Sequence, residues 1–275
     1  MSFVVRLHPS GDQFEAAPGE SVLAAALRHG LNLPHSCRGG SCMSCRAHLR
    51  GGRIEYPRGR PPALSAEDEA ADQVLLCQAV AKSDLDVDIA PLETPGDIRI
   101  RRLPCRVQRI ERLCPEVMGL ALKLPGFEPF DYLAGQYVDI LLRNGERRSF
   151  SIANPPHDAE LVEIHVRRVP GGRFSEYVFG PMKPRALLRM EGPLGQFYLR
   201  EDGDRPLLMM GGGTGYAPLK AMLRHAFHLG WDRPVHLYWG VRAGVDLYDA
   251  PWLQAVAAER PGFRFTPVFS EPGPG

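Results

Sequence analysis

The sequence lacks several features that would place it in a simple class. No apolar run approaches the roughly 20 residues of a membrane-spanning helix, since runs such as 22–27 and 206–210 stop far short. Residues 1–11 show no basic region followed by an apolar core, so no signal peptide is predicted. Internal repeats and low-complexity tracts are also missing. We therefore expect a cytoplasmic globular protein without a membrane span.

Charge of one sign is not in excess either. The chain has 33 Lys and Arg against 32 Asp and Glu, which gives a formal net charge of +1. Proteins that bind nucleic acid usually carry a basic patch or stripe. The balance therefore argues against a nucleic-acid partner.

The 275 residues are enough for two domains or three small ones. Alternating apolar residues and turn signals predict a β-rich first region, with helices capped by Ser21 and Ser65. Residues 91–104 contain three prolines and are predicted to form a linker. Short alternating runs over 105–200 favour a β-barrel or sandwich, and strands alternating with helices after 205 favour a parallel α/β sheet.

Cysteine is present in small number, and its positions are informative. Cys37, Cys42 and Cys45 have the spacing C-x4-C-x2-C, and Cys77 follows after a gap. This is the plant-type ferredoxin spacing for a [2Fe–2S] cluster. Gly39 and Gly40 would let the loop turn tightly, so that its amides point at the cluster sulfurs.

Two other uses of these cysteines remain open from the sequence. Zinc sites commonly combine two short C-x2-4-C pairs, and Cys77 has no nearby second cysteine. Two disulfides would need an oxidising compartment. The cluster is therefore the favoured interpretation, and Cys105 and Cys114 are predicted to be packing residues.

Two further segments have features of anion-binding sites. Residues 148–151 read Arg-Ser-Phe-Ser, and residues 171–175 read Gly-Gly-Arg-Phe-Ser before a helical stretch. An arginine and a helix N-terminus suit phosphate, and Phe150 offers a flat ring face. Taken singly, Arg148 could be a surface charge, Phe150 a core residue and Gly171–Gly172 a turn.

A glycine-rich loop, residues 211–215, lies between an apolar strand and a helix, where a parallel sheet binds pyrophosphate. The loop departs from the G-x-G-x-x-G fingerprint because residue 216 is Tyr. From the sequence, it is either a nucleotide loop or a structural turn.

Taken together, these motifs resemble those of ferredoxin reductase-like oxidoreductases with an N-terminal plant-type ferredoxin domain. This family includes the reductase components of bacterial oxygenases and the reductase of deoxysugar synthesis (CDP-6-deoxy-glucoseen reductase). The resemblance implies a multidomain fold of α+β, β and α/β parts. We expect a β-grasp ferredoxin domain over 1–95, an antiparallel FAD-binding β-barrel over 100–200 and a parallel α/β NAD(P)-binding domain over 201–275.

The resemblance also implies roles for individual residues. Cys37, Cys42, Cys45 and Cys77 would hold the cluster, and Ser151 and Thr214 would be catalytic, beside the flavin and the nicotinamide respectively. The residues implied to bind FAD are Arg148, Phe150, Ser151, His165, Val166, Gly172, Arg173, Phe174 and Ser175. The residues implied to bind NAD(P)H are Gly213, Thr214, Gly215, Pro218, Gly240 and Arg242. Phe150 stands where the family usually has Tyr.

The implied reaction is hydride transfer from NAD(P)H to FAD, followed by transfer of single electrons through the cluster to a partner protein. That partner would be an oxygenase component or a deoxysugar dehydratase. Arg38, Arg46, Arg50 and Arg53 are predicted to form a basic docking surface for it. The competing hypothesis is a non-enzymatic module that holds a cluster or zinc on the same scaffold.

The third domain is predicted to be short. Residues 201–275 supply three strands and two helices, whereas a doubly wound nucleotide domain usually has five or six strands. In the resembling family a further βα stretch follows. We therefore expect a chain truncated within its third domain.

Overall fold

The computed structural model describes residues 2–91, 98–126 and 130–271. The chain divides into two compact units, Met1–Ile100 and Arg101–Gly275. In the part of the chain described, no helix is long and apolar enough to cross a membrane.

The first unit is a five-stranded mixed sheet with one helix packed on it. Its strand order is β2-β1-β7-β3-β5, with β1 parallel to β7 and the other pairs antiparallel. A two-stranded pair, β4 with β6, accompanies it. The elements in chain order are β1 Phe3–His8, β2 Gln13–Ala16, α1 Val22–Arg28, β3 Arg46–Gly51, β4 Ile54–Glu55, α2 Ala66–Ala70, β5 Gln73–Leu75, β6 Val80–Ala81 and β7 Leu85–Asp88. This is the predicted β-grasp arrangement.

Local sequence explains both helices of this unit. The Ser21 hydroxyl accepts a hydrogen bond from the Ala24 amide at 3.2 Å, and Gly30 turns the chain with φ +79°. The first helix buries Val22, Leu23, Ala25 and Ala26 against the sheet. At α2, Ser65 and Asp68 form a reciprocal capping box. Both predicted caps are confirmed.

The second unit begins with an antiparallel barrel of six strands in the order β11-β10-β13-β8-β9-β12. A bridge between Ile152 and Ile164 joins the two ends of the sheet. The elements are β8 Arg101–Cys114, β9 Val117–Lys123, β10 Tyr137–Leu141, β11 Arg147–Ser151, β12 Val162–Arg167, α3 Arg173–Phe179 and β13 Leu187–Leu194. The alternating runs left a barrel or a sandwich open, and the structure has the barrel that the resemblance implied.

The same unit ends in a parallel sheet of three strands, ordered β14-β15-β16. Its elements are β14 Leu207–Gly212, α4 Tyr216–His228, β15 Val235–Val241, α5 Ala250–Glu259 and β16 Phe263–Phe269. Tyr216 and Trp239 are fully buried and stack at 4.0 Å between ring centroids. The α/β architecture predicted for this region is confirmed.

The predicted end of the linker was wrong, and several strands were missed. The predicted linker reaches residue 104, but β8 already begins at Arg101, and Pro104 pairs with Arg189 of β13. Before residue 106, β8 has a strand partner on one side only, so the missing N–H of proline is tolerated. Neither β8 nor β13 was predicted. Residues 92–97 of the linker lie outside the described residues.

Candidate functional site

The loop that carries Cys37, Cys42 and Cys45 is held in an unusual backbone conformation. Arg38 and Met43 have φ values of +52° and +60°, and Gly40 has +77°. A Cβ on Gly40 would lie 2.8 Å from Pro61 Cβ, so glycine is required there for space as well as conformation. The Gln78 side chain donates a hydrogen bond to the Arg38 carbonyl at 2.7 Å, next to Cys77. The fold thus fixes this loop against the segment of the fourth cysteine.

Backbone amides in this loop point at sulfur. The amides of Gly39 and Ser41 each lie 3.3 Å from Cys37 Sγ, and the Cys37 amide lies 3.4 Å from Cys42 Sγ. Burial acts to raise the pKa of Cys42, but hydrogen bonds from Ser44 and the Cys37 amide outweigh it and lower that pKa to about 7. These donors favour the thiolate, which is the form that binds iron.

The four cysteines form two pairs. Cys37 and Cys42 are exposed, whereas Cys45 and Cys77 are buried and hydrogen-bonded to each other. That hydrogen bond lowers the pKa of Cys77 to about 7 and raises the pKa of Cys45. Within the described residues, no three His, Cys, Asp or Glu side chains are placed to hold a single metal ion. A two-iron cluster takes two ligands per iron, which is the arrangement that the two pairs of thiols offer.

The Arg-Ser-Phe-Ser segment forms β11, an edge strand of the barrel beside β10. Arg148 donates to Glu146 at 2.8 Å. A hydrogen bond from Asn144, aided by the charges of Arg148 and Arg173, lowers the pKa of Glu146. The charge of Arg173 acts on the same carboxylate as that of Arg148, although only Arg148 is hydrogen-bonded to it. Guanidinium groups suit the pyrophosphate of FAD.

The Gly-Gly-Arg-Phe-Ser turn differs in detail from its prediction. Helix α3 starts at Arg173 rather than at residue 176. The Ser175 hydroxyl donates to the carbonyl oxygens of Val169 and Gly172, each 3.0 Å away. Ser175 thus shapes the turn. Phe174 is buried 5.3 Å from Phe150, and the Phe150 ring is half-buried beside it. Ser151 ends β11, next to the bridge that closes the barrel.

Strand β12 places the two residues predicted beside the flavin on opposite faces. Val166 packs in the barrel core. The His165 side chain is fully buried and points toward Tyr248, which follows β15. The His165 imidazole therefore does not lie on the barrel's inner face with Val166.

The glycine-rich loop lies at the carboxyl ends of the parallel strands, beside a cavity of about 390 Å³. Gly213, Thr214, Gly240 and Arg242 line it. A Cβ on Gly212 or Gly215 would meet no atom within 4 Å, so the backbone is open to a ligand there. Parallel sheets bind nucleotides at this edge, and the cavity fits that use.

Tyr216 explains the departure from the dinucleotide fingerprint. Its ring stacks on Trp239, and its hydroxyl donates to Asp249 at 2.7 Å. The Trp239 indole donates in turn to the Gly213 carbonyl at 2.9 Å. Pro218 is buried in the first turn of α4. The stacked Tyr216 and Trp239 rings thus pack beneath the glycine-rich loop and hold it through the Gly213 carbonyl.

Sequence reasoning missed several residues at the cavity. Glu116 accepts from Arg242 at 2.5 Å and lies 3.7 Å from Arg167. Tyr248 and Phe269 also line the wall. Glu116 comes from β8–β9 and is far from the glycine loop in sequence, so no local motif signals it.

Comparison with known proteins identifies each region. The chain matches the 2Fe-2S iron-sulfur cluster binding domain over residues 5–82. It matches the oxidoreductase FAD-binding domain over 104–198 and the oxidoreductase NAD-binding domain over 209–275. The order of the three domains is the one expected from the motifs.

Similar proteins match along nearly the whole chain. It is 38% identical to a CDP-6-deoxy-L-threo-D-glycero-4-hexulose-3-dehydrase reductase of Yersinia pestis, covering 98% of this chain and 80% of that protein. It is 37% identical to the terephthalate 1,2-dioxygenase reductase component 1 of Comamonas sp., covering 99% and 80%. The crystal structure of the Amycolatopsis cytochrome P450 reductase GcoB has a TM-score of 0.85 at 34% identity, covering 99% of this chain and 82% of that one.

Fold, site and comparisons define an NAD(P)H-dependent iron–sulfur flavoprotein oxidoreductase that uses a [2Fe–2S] cluster and FAD. The chain belongs to the ferredoxin reductase-like family whose members serve as electron-transfer reductase components. Because the similar proteins are named as reductases, the enzymatic interpretation is supported over the non-enzymatic module.

Proposed function

We propose that this chain oxidises NADH and delivers single electrons to a separate protein, either an oxygenase component or a deoxysugar dehydratase. The observation that carries the proposal is the combination, in one chain, of paired thiols, Arg148 on a barrel strand beside the Phe150 ring, and a cavity at the glycine-rich loop. The similar proteins include a reductase named for a sugar dehydrase and others named for oxygenases, so both acceptor classes stay in the proposal.

The cluster, the flavin and the nicotinamide nucleotide each have a proposed set of binding residues. Cys37, Cys42, Cys45 and Cys77 hold the cluster. The flavin is held by Arg148, Phe150, Ser151 and residues 172–175, and the nicotinamide nucleotide by residues 213–215, Pro218, Gly240 and Arg242. Bound FAD supplies the conversion between two-electron and one-electron transfer. The chain supplies the anion site, the ring faces and the thiolates that position these groups.

The charges at the cavity favour NADH over NADPH. Both arginines of the lining, Arg167 and Arg242, are paired with Glu116, and Asp246 lies 3.9 Å from Arg242. A 2′-phosphate there would meet two carboxylates rather than two available cations. We expect kcat/KM for NADH to exceed that for NADPH by more than about tenfold.

The exposed cysteine pair sets the proposed exit for electrons. Cys37 and Cys42 face solvent, whereas Cys45 and Cys77 are buried. The predicted basic surface is weaker than the sequence suggests, because Arg46 lies 3.7 Å from Asp68 and Arg50 lies 2.5 Å from Asp88. Arg50 also stands four residues along β3 from Arg46, roughly 13 Å away. Charge is therefore proposed as a minor contribution to partner docking.

Purified chain loaded with iron, sulfide and FAD tests the proposal. We expect NADH-dependent reduction of a one-electron acceptor such as cytochrome c, with about two acceptor molecules reduced per NADH. A colourless protein that binds neither flavin nor iron would refute the function. The proposal also places the chain in the cytoplasm, where thiols stay reduced and available to iron.

A further inference from the structure

Strand β12 has two faces with different partners. Val162, Ile164 and Val166 point into the barrel core. Glu163 and His165 alternate with them and contact residues of the parallel-sheet region instead. The second face of β12 therefore contacts the region that contains the nucleotide cavity.

A continuous line of hydrogen bonds crosses this contact. Lys220 of α4 donates to Glu163 Oε1 at 2.8 Å, and the same oxygen lies 2.9 Å from His165 Nε2. On the other side of the ring, His165 Nδ1 lies 2.9 Å from the Tyr248 hydroxyl. The His165 side chain is fully buried, and Lys220 and Glu163 are 13% and 20% exposed. Water has little access to compete for these groups.

The line fixes the tautomer of His165. Burial, assisted by the charge of Lys220, lowers the pKa of His165 despite the opposing hydrogen bond to Glu163. Hydrogen bonds from His165 and Lys220 outweigh burial and lower the pKa of Glu163 to about 2, so this carboxylate is an acceptor only. The proton of the neutral ring therefore lies on Nε2, and Nδ1 accepts from the Tyr248 hydroxyl.

Tyr248 connects this line to the cavity. Its ring lines the cavity together with Gly213, Thr214 and Arg242. The ring meets Trp239 edge-on at 4.9 Å and His165 at 5.3 Å. The aromatic contacts limit the tilt of the ring, and among the described residues His165 is the polar group that holds its hydroxyl.

We propose that His165 is a positioning residue for the nicotinamide nucleotide, acting through Tyr248. From the barrel, His165 holds the Tyr248 ring as a fixed wall of the nucleotide cavity, and Glu163 with Lys220 holds His165 in the tautomer that this needs. The proposal rests on the proposed function, because it takes the cavity to be the nucleotide site.

Equilibrium binding of NAD⁺ to the purified full chain, measured by calorimetry, tests this role without turnover. The His165→Gln side chain reaches Glu163 but leaves the Tyr248 hydroxyl without its acceptor, and Tyr248→Phe removes the hydroxyl itself. We expect each to raise Kd about fivefold, the effect of losing one net hydrogen bond. The double variant should also show about fivefold, rather than the roughly 25-fold of independent effects.

Two further variants separate positioning from general packing. His165→Asn places its amide near the Nδ1 position and should recover most of the affinity. Tyr238→Phe removes a hydroxyl from β15 for which no hydrogen bond appears among the described residues, and should leave Kd unchanged.

The outcomes distinguish the two proposals. NAD⁺ binding by the unaltered chain with an unchanged Kd in His165→Gln overturns the inference alone. The inference is also overturned if the increases in Kd from His165→Gln and Tyr248→Phe multiply in the double variant. It is likewise overturned if His165→Asn binds NAD⁺ as weakly as His165→Gln. An unaltered chain that binds no NAD⁺ overturns the proposed function as well.

Discussion

Two glycine-rich loops in this chain achieve different ends with the same residue. In the cluster loop, Gly40 is enclosed by Pro61 and Gln78, and two non-glycine neighbours share its left-handed conformation. In the nucleotide loop, Gly211 is enclosed by the Gly215 carbonyl and Leu219, whereas Gly212 faces open space. One loop is shaped to aim amides at its own sulfurs, and the other leaves backbone bare for a ligand.

The comparison shows where function can be read from sequence. The cluster loop carries its chemistry in side chains whose spacing is diagnostic. The proposed nucleotide loop has no such side chains, and the residues around it, Trp239, Glu116 and Tyr248, come from distant segments. Experiments can separate the two loops by asking which substitutions remove a bound group and which remove stability.

The largest expected effect is loss of the cluster. Cys77→Ser removes one of the four proposed iron ligands, and we expect iron affinity to fall by more than about 100-fold, beyond the cost of altering an outer-shell group. Iron content and visible absorbance measure it. Cys105→Ser is the matched control, because Cys105 packs in the barrel core and should leave iron content unchanged.

Gly40→Ala should be strongly destabilising. It combines a φ of +77° with a Cβ 2.8 Å from Pro61, for a cost of about 3 kcal/mol in the free energy of unfolding. Gly39→Ala meets only an ordinary 3.7 Å contact and should change stability little. Urea unfolding of the two variants measures this difference. Equal losses in the free energy of unfolding would contradict the packing assigned to Gly40.

The nucleotide loop should separate stability from binding. Gly211→Ala would place a Cβ 2.9 Å from the Gly215 carbonyl and should cost about 2 kcal/mol. Gly212→Ala has room and an ordinary φ of −107°, so the fold should tolerate it. Its methyl group should instead weaken NAD⁺ binding, because it fills space where the ligand approaches the backbone. Unchanged binding in Gly212→Ala would argue against this site.

Lowering the pH should reduce the stability of the fold through protonation of His165. Burial lowers the pKa of His165 in the folded chain below the 6.5 of the unfolded chain, so the unfolded state takes up the proton first. Stability should therefore be complete above pH 6.5 and fall as pH decreases below it. Thermal unfolding of His165→Asn, compared with the original chain, should show a shallower loss over that window. Parallel curves would contradict the assignment.

The smallest expected effect concerns docking at the cluster side. Since Arg46 and Arg50 are paired with Asp68 and Asp88, added salt should slow electron transfer to the partner only about twofold to threefold. Arg53→Gln should reduce that salt dependence slightly, because Arg53 is exposed. A steep salt dependence would instead indicate charge-dominated docking.

Alternation and turn residues predicted the β-rich first region, the strands of the middle region and the parallel α/β sheet, whereas the β-grasp and barrel arrangements came from the resemblance. Cysteine spacing pointed to the four proposed cluster ligands. The strand β8 was missed because its exposed positions are rich in arginine and its Pro104 is typical of a linker. The direction of His165 could not be predicted either. Alternation separates it from Val166, but only the tertiary fold shows that Tyr248 faces it. The pairing of Arg242 with Glu116 likewise joins residues 126 positions apart.

The central claim is that electrons enter at the nucleotide and flavin sites and leave through the cluster. Anaerobic mixing of NADH with Cys42→Ser chain loaded with FAD tests it most directly. We expect bound flavin to be bleached at the rate of the unaltered chain, while reduction of a one-electron acceptor protein is lost. Loss of flavin bleaching in Cys42→Ser, with FAD still bound, would contradict that order of transfer.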